Sequence, residues 1–299
     1  MNLNCRLENH DLNFLKLGPF LLEEKNSKPF IALFHNLLSP MELHHFKSAR
    51  KESMKRSLVG RPDLKSYNGK NHGKSNALRT SQQSWLTERN YTFPNNYNYN
   101  GHISNISFYK ETDNSHTQPP QYPINVQKYL VINDIIAYKV TKRIELASNL
   151  ILDRPYASEP YQIVNYGIGG QYEVHPDMFG YHTVHTEANT WTGDYRNWYS
   201  FAGDRQSTFM IYLSTVDYGG GTVFPLLDIN IVPITGAALL WNNLSSDGTP
   251  DYMSVHGGCP TFLGSKWVAN KWILYYDNFR HSPCDLRPIQ PINTFENWK

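Results

Sequence analysis

The stretch YGIGGQYEVHPD, Tyr166 to Asp177, sets a histidine and an aspartate one residue apart after a Gly-Gly turn. On a strand, residues two apart project from the same face. His175 and Asp177 would then aim an imidazole and a carboxylate at one point. Those are two of the three groups in the two-histidine, one-carboxylate set that holds non-haem Fe(II) with open positions. A His-x-Asp also arises by chance, as a turn or a surface hydrogen bond, so the chemistry needs a second histidine. His256, closing an apolar-polar run in DYMSVHGGCP, is the candidate, and Lys266 follows ten residues later on the next expected strand. A buried lysine there needs an anion, because an unpaired ammonium in a β core is costly. An anionic co-substrate with a distal carboxylate would satisfy it. Each residue alone also has a structural reading. His256 could cap a strand, Lys266 could reach solvent along its stem, and Tyr166 and Thr222 could be ordinary strand residues.

The elements that must position these groups are short. After Pro160 the runs YQIVNYG, STFMIYLST, GGTVFP, IVPITGAALLWNNL and KWVANKWILYY are separated by Gly, Asp, Asn and Pro. They read as many short strands, and helices precede them. The class is α+β with a sandwich or barrel-like β core. KPFIALFHNL reads as a strand, and LSPMELHHFKSARKESMK opens a helix with Ser39 as N-cap, Pro40 at N1 and Glu42 at N3. That is a capping box with proline in its favoured place. Ile132, Ile136, Val140 and Ile144 stand four apart and predict an amphipathic helix over this segment. Residues 87–123, rich in Asn, Tyr and Pro without periodicity, predict a long mobile surface insertion. Asn90 and Asn105 there head Asn-x-Ser/Thr triplets, which matter only in a secreted chain. Residues 1–28 are expected to be an N-terminal extension, 29–285 the main domain and 286–299 a tail.

With 299 residues the chain can bury a sizeable core. A net charge of +2 makes no electrostatic case for nucleic acid or membrane. No run of 18 apolar residues suggests a membrane helix, and the N-terminus lacks the apolar core of a signal peptide. The 20 tyrosines suit a β-rich fold. Three cysteines, Cys5, Cys259 and Cys284, read by count as reduced thiols.

Taken in order, His-x-Asp, GGTVFP, and a histidine followed ten residues on by Lys-Trp closely resemble a known region. It is the catalytic region of animal collagen prolyl 4-hydroxylase α subunits, which are Fe(II)- and 2-oxoglutarate-dependent dioxygenases. The resemblance begins near Cys5 and KLGPFLLEEKNSKPFIALFHNLLSPMELHHFK, breaks at the insertion, and resumes from YQIVNYGIGGQYEVHPD to FRHSPC. NYGIGGQYE, GTVFP, HGGCP and GSKWVANKW are its specific motifs. It implies a double-stranded β-helix, a jelly roll with the iron at its mouth. It also implies iron ligands at His175, Asp177 and His256. Lys266 would pair with the distal carboxylate of 2-oxoglutarate, with Tyr166 and Thr222 as hydrogen-bonding companions. Tyr172 and Arg205 match positions that engage the substrate peptide.

The implied activity is 4-hydroxylation of proline in a proline-rich, collagen-like peptide, with ascorbate rescuing oxidised iron. Two alternatives stand beside it: a hydroxylase of another protein substrate, and a weakened subunit that binds proline-rich peptides. The resemblance further implies the endoplasmic reticulum lumen and, for a longer chain, protein disulfide isomerase as β subunit. Cys259 and Cys284 match a disulfide-bonded pair of the family, and Cys5 a cysteine whose partner lies upstream. Two departures stand out. Leu274 occupies a position where the family usually has a histidine, and the family's upstream dimerisation and peptide-binding regions have no counterpart in this sequence.

Overall fold

The computed structural model describes residues 5–12, 15–57, 79–92, 98–99, 129–179 and 202–279. Strands covered on both faces read as nearly continuous apolar runs, and FIALF, STFMIY and ALLW are such runs. They form the middle of a nine-stranded antiparallel sheet. From one edge come β1 (Cys5–Glu8), β2 (Phe20–Ser27), β3 (Phe30–His35) and β15 (Ala238–Asn242). Then follow β11 (Arg205–Tyr212), β18 (Lys266–Leu274), β9 (Tyr161–Tyr166), β5 (Gln82–Leu86) and β4 (Lys55–Arg56). A four-stranded antiparallel sheet lies against it, in the order β10 (Tyr172–His175), β16 (His256–Gly258), β13 (Thr222–Phe224) and β14 (Ile229–Ile231). Two small ladders remain: β12 (Tyr218–Gly219) with β17 (Thr261–Leu263), and β6 (Arg89–Thr92) between β7 (Asn98–Tyr99) and β8 (Tyr129–Ile132).

From Tyr161 onward the chain alternates between the two main sheets. β9, β11, β15 and β18 belong to the large one, and β10, β13, β14 and β16 to the small one. Strands wound alternately through two packed sheets make a jelly roll, the double-stranded β-helix that the family resemblance implies.

The period of two along each strand divides the large sheet into two cores. Ile31, Leu33, Met210, Tyr212, Leu239, Trp241 and Val268 meet Phe224 and Ile231 of the small sheet inside the roll. Their sequence neighbours Ala32, Phe34, Phe209, Ile211, Leu240 and Ala269 face the opposite way. There they pack against α1 (Pro40–Ser48) and α2 (Ile135–Ser148) through Phe46, Val140 and Ile144. Ser39 caps α1 as expected, its Oγ accepting the Glu42 N–H while Glu42 accepts the Ser39 N–H. The Glu42 carboxylate also receives both ends of the Arg143 guanidinium at 2.8 Å, so the cap ties α1 to α2.

Three expectations from the sequence are corrected. The helix stripe does not begin at Ile132, which ends strand β8. Asp134 caps α2 by accepting the N–H groups of Ile136 and Ala137, so the helix starts at Ile135. A stripe four apart continues across that boundary by coincidence, because periodicity does not mark where a cap resets the backbone. The boundary after residue 28 falls inside the β2–β3 hairpin, whose pairing makes β1 and β2 part of the domain. The insertion does not open at Thr87: Glu88 and Arg89 are buried and charge-paired, and β6 pairs with β8. Most of the 87–123 segment, Asn105, Cys284 and the 286–299 tail lie outside the described residues.

Candidate metal and co-substrate site

The small sheet's register brings the two histidines together. β10 and β16 run antiparallel with His175 directly opposite His256, and Tyr172 opposite Gly258. Asp177 is not on the strand, which ends at His175. It comes round in the bend that follows and still reaches the same point. His175 Nε2 lies 3.7 Å from Asp177 Oδ1, and His256 Nε2 lies 3.8 Å from Oδ2. One ligand atom from each residue falls within 4.8 Å of the others.

Main-chain acceptors settle which ring nitrogen carries the proton. His175 Nδ1 sits 2.7 Å from the Glu173 carbonyl, and His256 Nδ1 sits 3.1 Å from that of Ser254. A carbonyl only accepts, so each Nδ1 is the N–H and each Nε2 presents a lone pair to the Asp177 carboxylate. Two lone pairs converging on an anion are mutually repulsive without a cation between them, and this donor set suits a metal that takes imidazole and carboxylate together. Burial pushes the His175 imidazole well below its ordinary pKa, which keeps it in the neutral, ligating form.

Asp177 is held from behind. Burial raises its pKa, but the net shift is downward, and with both imidazoles neutral the Arg205 charge and the Thr208 hydroxyl are the groups that favour its ionised form. Thr208 Oγ1 donates to Oδ2 at 2.7 Å, and Trp272 Nε1 donates to the same oxygen at 3.0 Å. Asn243 Nδ2 in turn donates to Thr208 Oγ1 at 2.9 Å. Oδ1 is left facing His175. Sequence reasoning missed all three supporting residues. Trp272 alone left a signal, an even spacing from Lys266 on one strand, which puts both on one face.

Lys266 is 3% exposed and stands directly across the β18–β9 ladder from Tyr166. Its Nζ donates to Thr222 Oγ1 at 3.2 Å and to the Gly221 carbonyl at 3.4 Å, and lies 5.7 Å from the Tyr166 ring centroid. Burial lowers its pKa to about 8. Tyr212, another residue the sequence did not flag, donates its O–H to the same Thr222 oxygen at 2.9 Å. Thr222 Oγ1 thus accepts twice, and its own hydrogen remains for an acceptor. Lys266 and Thr222 together form a buried donor pair suited to a carboxylate.

Tyr172 stacks on the His175 ring with centroids 3.6 Å apart, while the Arg79 guanidinium lies 4.5 Å over Tyr172. Arg205 is placed differently from the peptide-facing role its sequence match suggests. Its guanidinium makes a two-point contact with Glu159 at 2.6 and 2.9 Å, reaches the Asp177 carbonyl at 3.3 Å, and stacks 3.7 Å over Trp272. Leu274 is fully buried at the end of β18, opposite Arg205. Cys259 is half-buried, and its expected partner Cys284 lies outside the described residues.

A family model described as the 2OG-Fe(II) oxygenase superfamily matches residues 161–274. Prolyl 4-hydroxylase subunit alpha-3 of Homo sapiens is 30% identical over 96% of this chain, and subunit alpha-1 of Homo sapiens 27% identical over 96%. The chain spans only 41% and 42% of the length of those two relatives. A solved viral collagen prolyl hydroxylase from Paramecium Bursaria Chlorella virus-1 is 18% identical, covering 82% of this chain and 95% of its own with a TM-score of 0.46. The matched span, residues 161–274, carries His175, Asp177, His256 and Lys266.

Proposed function

We propose that this chain hydroxylates proline in a peptide, with His175, Asp177 and His256 holding Fe(II) and Lys266 and Thr222 holding 2-oxoglutarate. The overall reaction balances as peptidyl proline, 2-oxoglutarate and O₂ giving hydroxyproline, succinate and CO₂. The observation that carries the reading is the convergence of two Nε2 lone pairs and one carboxylate oxygen within 4.8 Å, with both Nδ1 protons committed to main-chain carbonyls.

Bound there, Fe(II) supplies the redox chemistry that links O₂ reduction to oxidation of the keto acid and of a C–H bond. The protein's own residues do the rest. Lys266 neutralises the distal carboxylate in a site closed to water, where a charge-assisted bond is strongest. Thr222, turned by Tyr212, adds a second donor. Thr208 and Trp272 occupy Asp177 Oδ2, so Oδ1 is the carboxylate oxygen that would be left to hold a metal. Phe224 and Trp241 pack on the His256 ring and keep that side dry. Tyr172, exposed in part and stacked on His175, is the side chain nearest to an incoming peptide in this reading.

Ascorbate as the reductant, a Cys259–Cys284 bridge, an oxidising lumen and protein disulfide isomerase as partner belong to the same reading and come from the sequence resemblance. A second reading keeps the chemistry and changes the substrate to another protein. It is favoured by Leu274, an apolar, fully buried side chain where the family resemblance expects an imidazole. The test is succinate release from 2-oxoglutarate with Fe(II) and ascorbate, with and without a (Pro-Pro-Gly)-type peptide. His256→Ala should abolish both metal retention and turnover. Full activity in that variant with unchanged metal content would sink the assignment.

A further inference from the structure

On the helix-facing side of the large sheet lies a buried charged cluster that the reaction does not use. Lys271 is 0% exposed and Glu88 1%. Lys271 Nζ donates to Glu88 Oε1, and to the main-chain carbonyl of Glu159 at 2.6 Å. Glu88 is also paired with Arg89 and accepts from Thr141 Oγ1 of α2 at 3.4 Å. Buried ion pairs rarely outdo an apolar filling of the same volume, so core stability alone does not account for the cluster.

Two linkages meet there. The first concerns the chain excursion between β5 and α2. The Glu88 carbonyl accepts the N–H of Asn133 at 3.0 Å and of Asp134 at 3.2 Å, so the excursion leaves and returns at one residue. The second runs to the metal site through Glu159, whose three polar functions are all gripped. Its N–H donates to the Trp272 carbonyl at 3.0 Å, its carbonyl accepts from Lys271, and its carboxylate holds Arg205 at two points. Arg205 stacks on Trp272, and Trp272 holds Asp177 Oδ2. Lys271 and Trp272 are sequence neighbours, so the same strand presents one to each face.

We infer that Glu88 and Lys271 are positioning residues for the metal centre. They fix Glu159, and through it the Arg205–Trp272 stack behind Asp177, from the root of the 89–132 excursion. This rests on the metal-centre reading above. Residues behind a metal ligand typically change metal affinity by about 10–100-fold when replaced, and Lys271, one step further out, is expected at the low end.

The experiment is anaerobic titration of the full chain with Co(II), read by its visible absorption bands, together with thermal melting. Lys271→Met leaves Glu88 paired with Arg89. Lys271→Met and Glu159→Gln should each weaken Co(II) binding about tenfold. Their double variant should be little weaker than the worse single, because both act along one path. A lower melting point with Co(II) affinity and band positions unchanged would make the cluster merely structural and overturn the inference. Independent, multiplying effects would also overturn it. If Lys271→Met does not fold, Glu88→Gln carries the test, and unchanged Co(II) affinity there overturns it equally. A wild-type chain that binds no Co(II) would instead remove the metal-centre reading itself.

Discussion

Replacing Lys266 with methionine should make the protein more stable and less able to bind its co-substrate. The ammonium is 3% exposed, donates to Thr222 and to the Gly221 carbonyl, and faces no carboxylate in an ion pair among the described residues. Burial lowers its pKa from 10.5 to about 8, a shift of 10.5 − 8, or roughly 2.5. At 1.36 kcal/mol per unit, the buried charge costs the fold up to about 3 kcal/mol. The unfolded chain keeps its proton up to pH 10.5 and the folded one only to about 8. The cost is therefore full below pH 8 and is relieved as pH rises from 8 to 10.5. Lys266→Met, which keeps the stem's bulk, should raise the melting point by several degrees at pH 7, with the gain shrinking above pH 8. Binding moves the other way. Loss of a charge-assisted hydrogen bond of roughly 1.5–3 kcal/mol should weaken 2-oxoglutarate about 10–100-fold. The assay is calorimetric titration of 2-oxoglutarate into Mn(II)-loaded protein without O₂, at several pH values. Wild-type affinity should fall about tenfold per pH unit above 8, because the ammonium is the binding form, while the variant's stays flat. A destabilised variant with unchanged co-substrate affinity would refute the reasoning.

Thr208→Val removes the hydroxyl that donates to Asp177 Oδ2 and leaves Asn243 Nδ2 without that acceptor. Metal affinity should drop about 10–100-fold, measured by Co(II) titration, with stability lower by roughly 1–3 kcal/mol in denaturant melts. Leu274→His places an imidazole where a fully buried leucine stands. It should cost roughly 1–3 kcal/mol of stability unless it finds a partner, and should raise the ratio of hydroxyproline to succinate. An unchanged ratio would mean that the natural substrate does not need that imidazole.

Much of the candidate site was legible along the chain because its determinants are short in sequence. The His-x-Asp spacing, the ten-residue step from His256 to Lys266 and the Ser39–Glu42 box are all local patterns. The short apolar runs between Gly, Asp, Asn and Pro likewise announced strands. Tertiary structure decided the rest. Asp177 reaches the histidines from a bend and not from the strand, which no period of two could foresee. The proton positions on both imidazoles depend on carbonyls that the fold brings into place. Arg205 is given to Glu159, 46 residues away, and Lys271 to Glu88, 183 residues away. β1 and β2 enter the sheet only because β3 pairs with β15 from the far end of the chain. A residue's type and spacing fix which groups it can offer and which face it takes. The partner that accepts them is set by strand register across the whole chain, and hydrogen bonding to a distant residue leaves no period in the sequence.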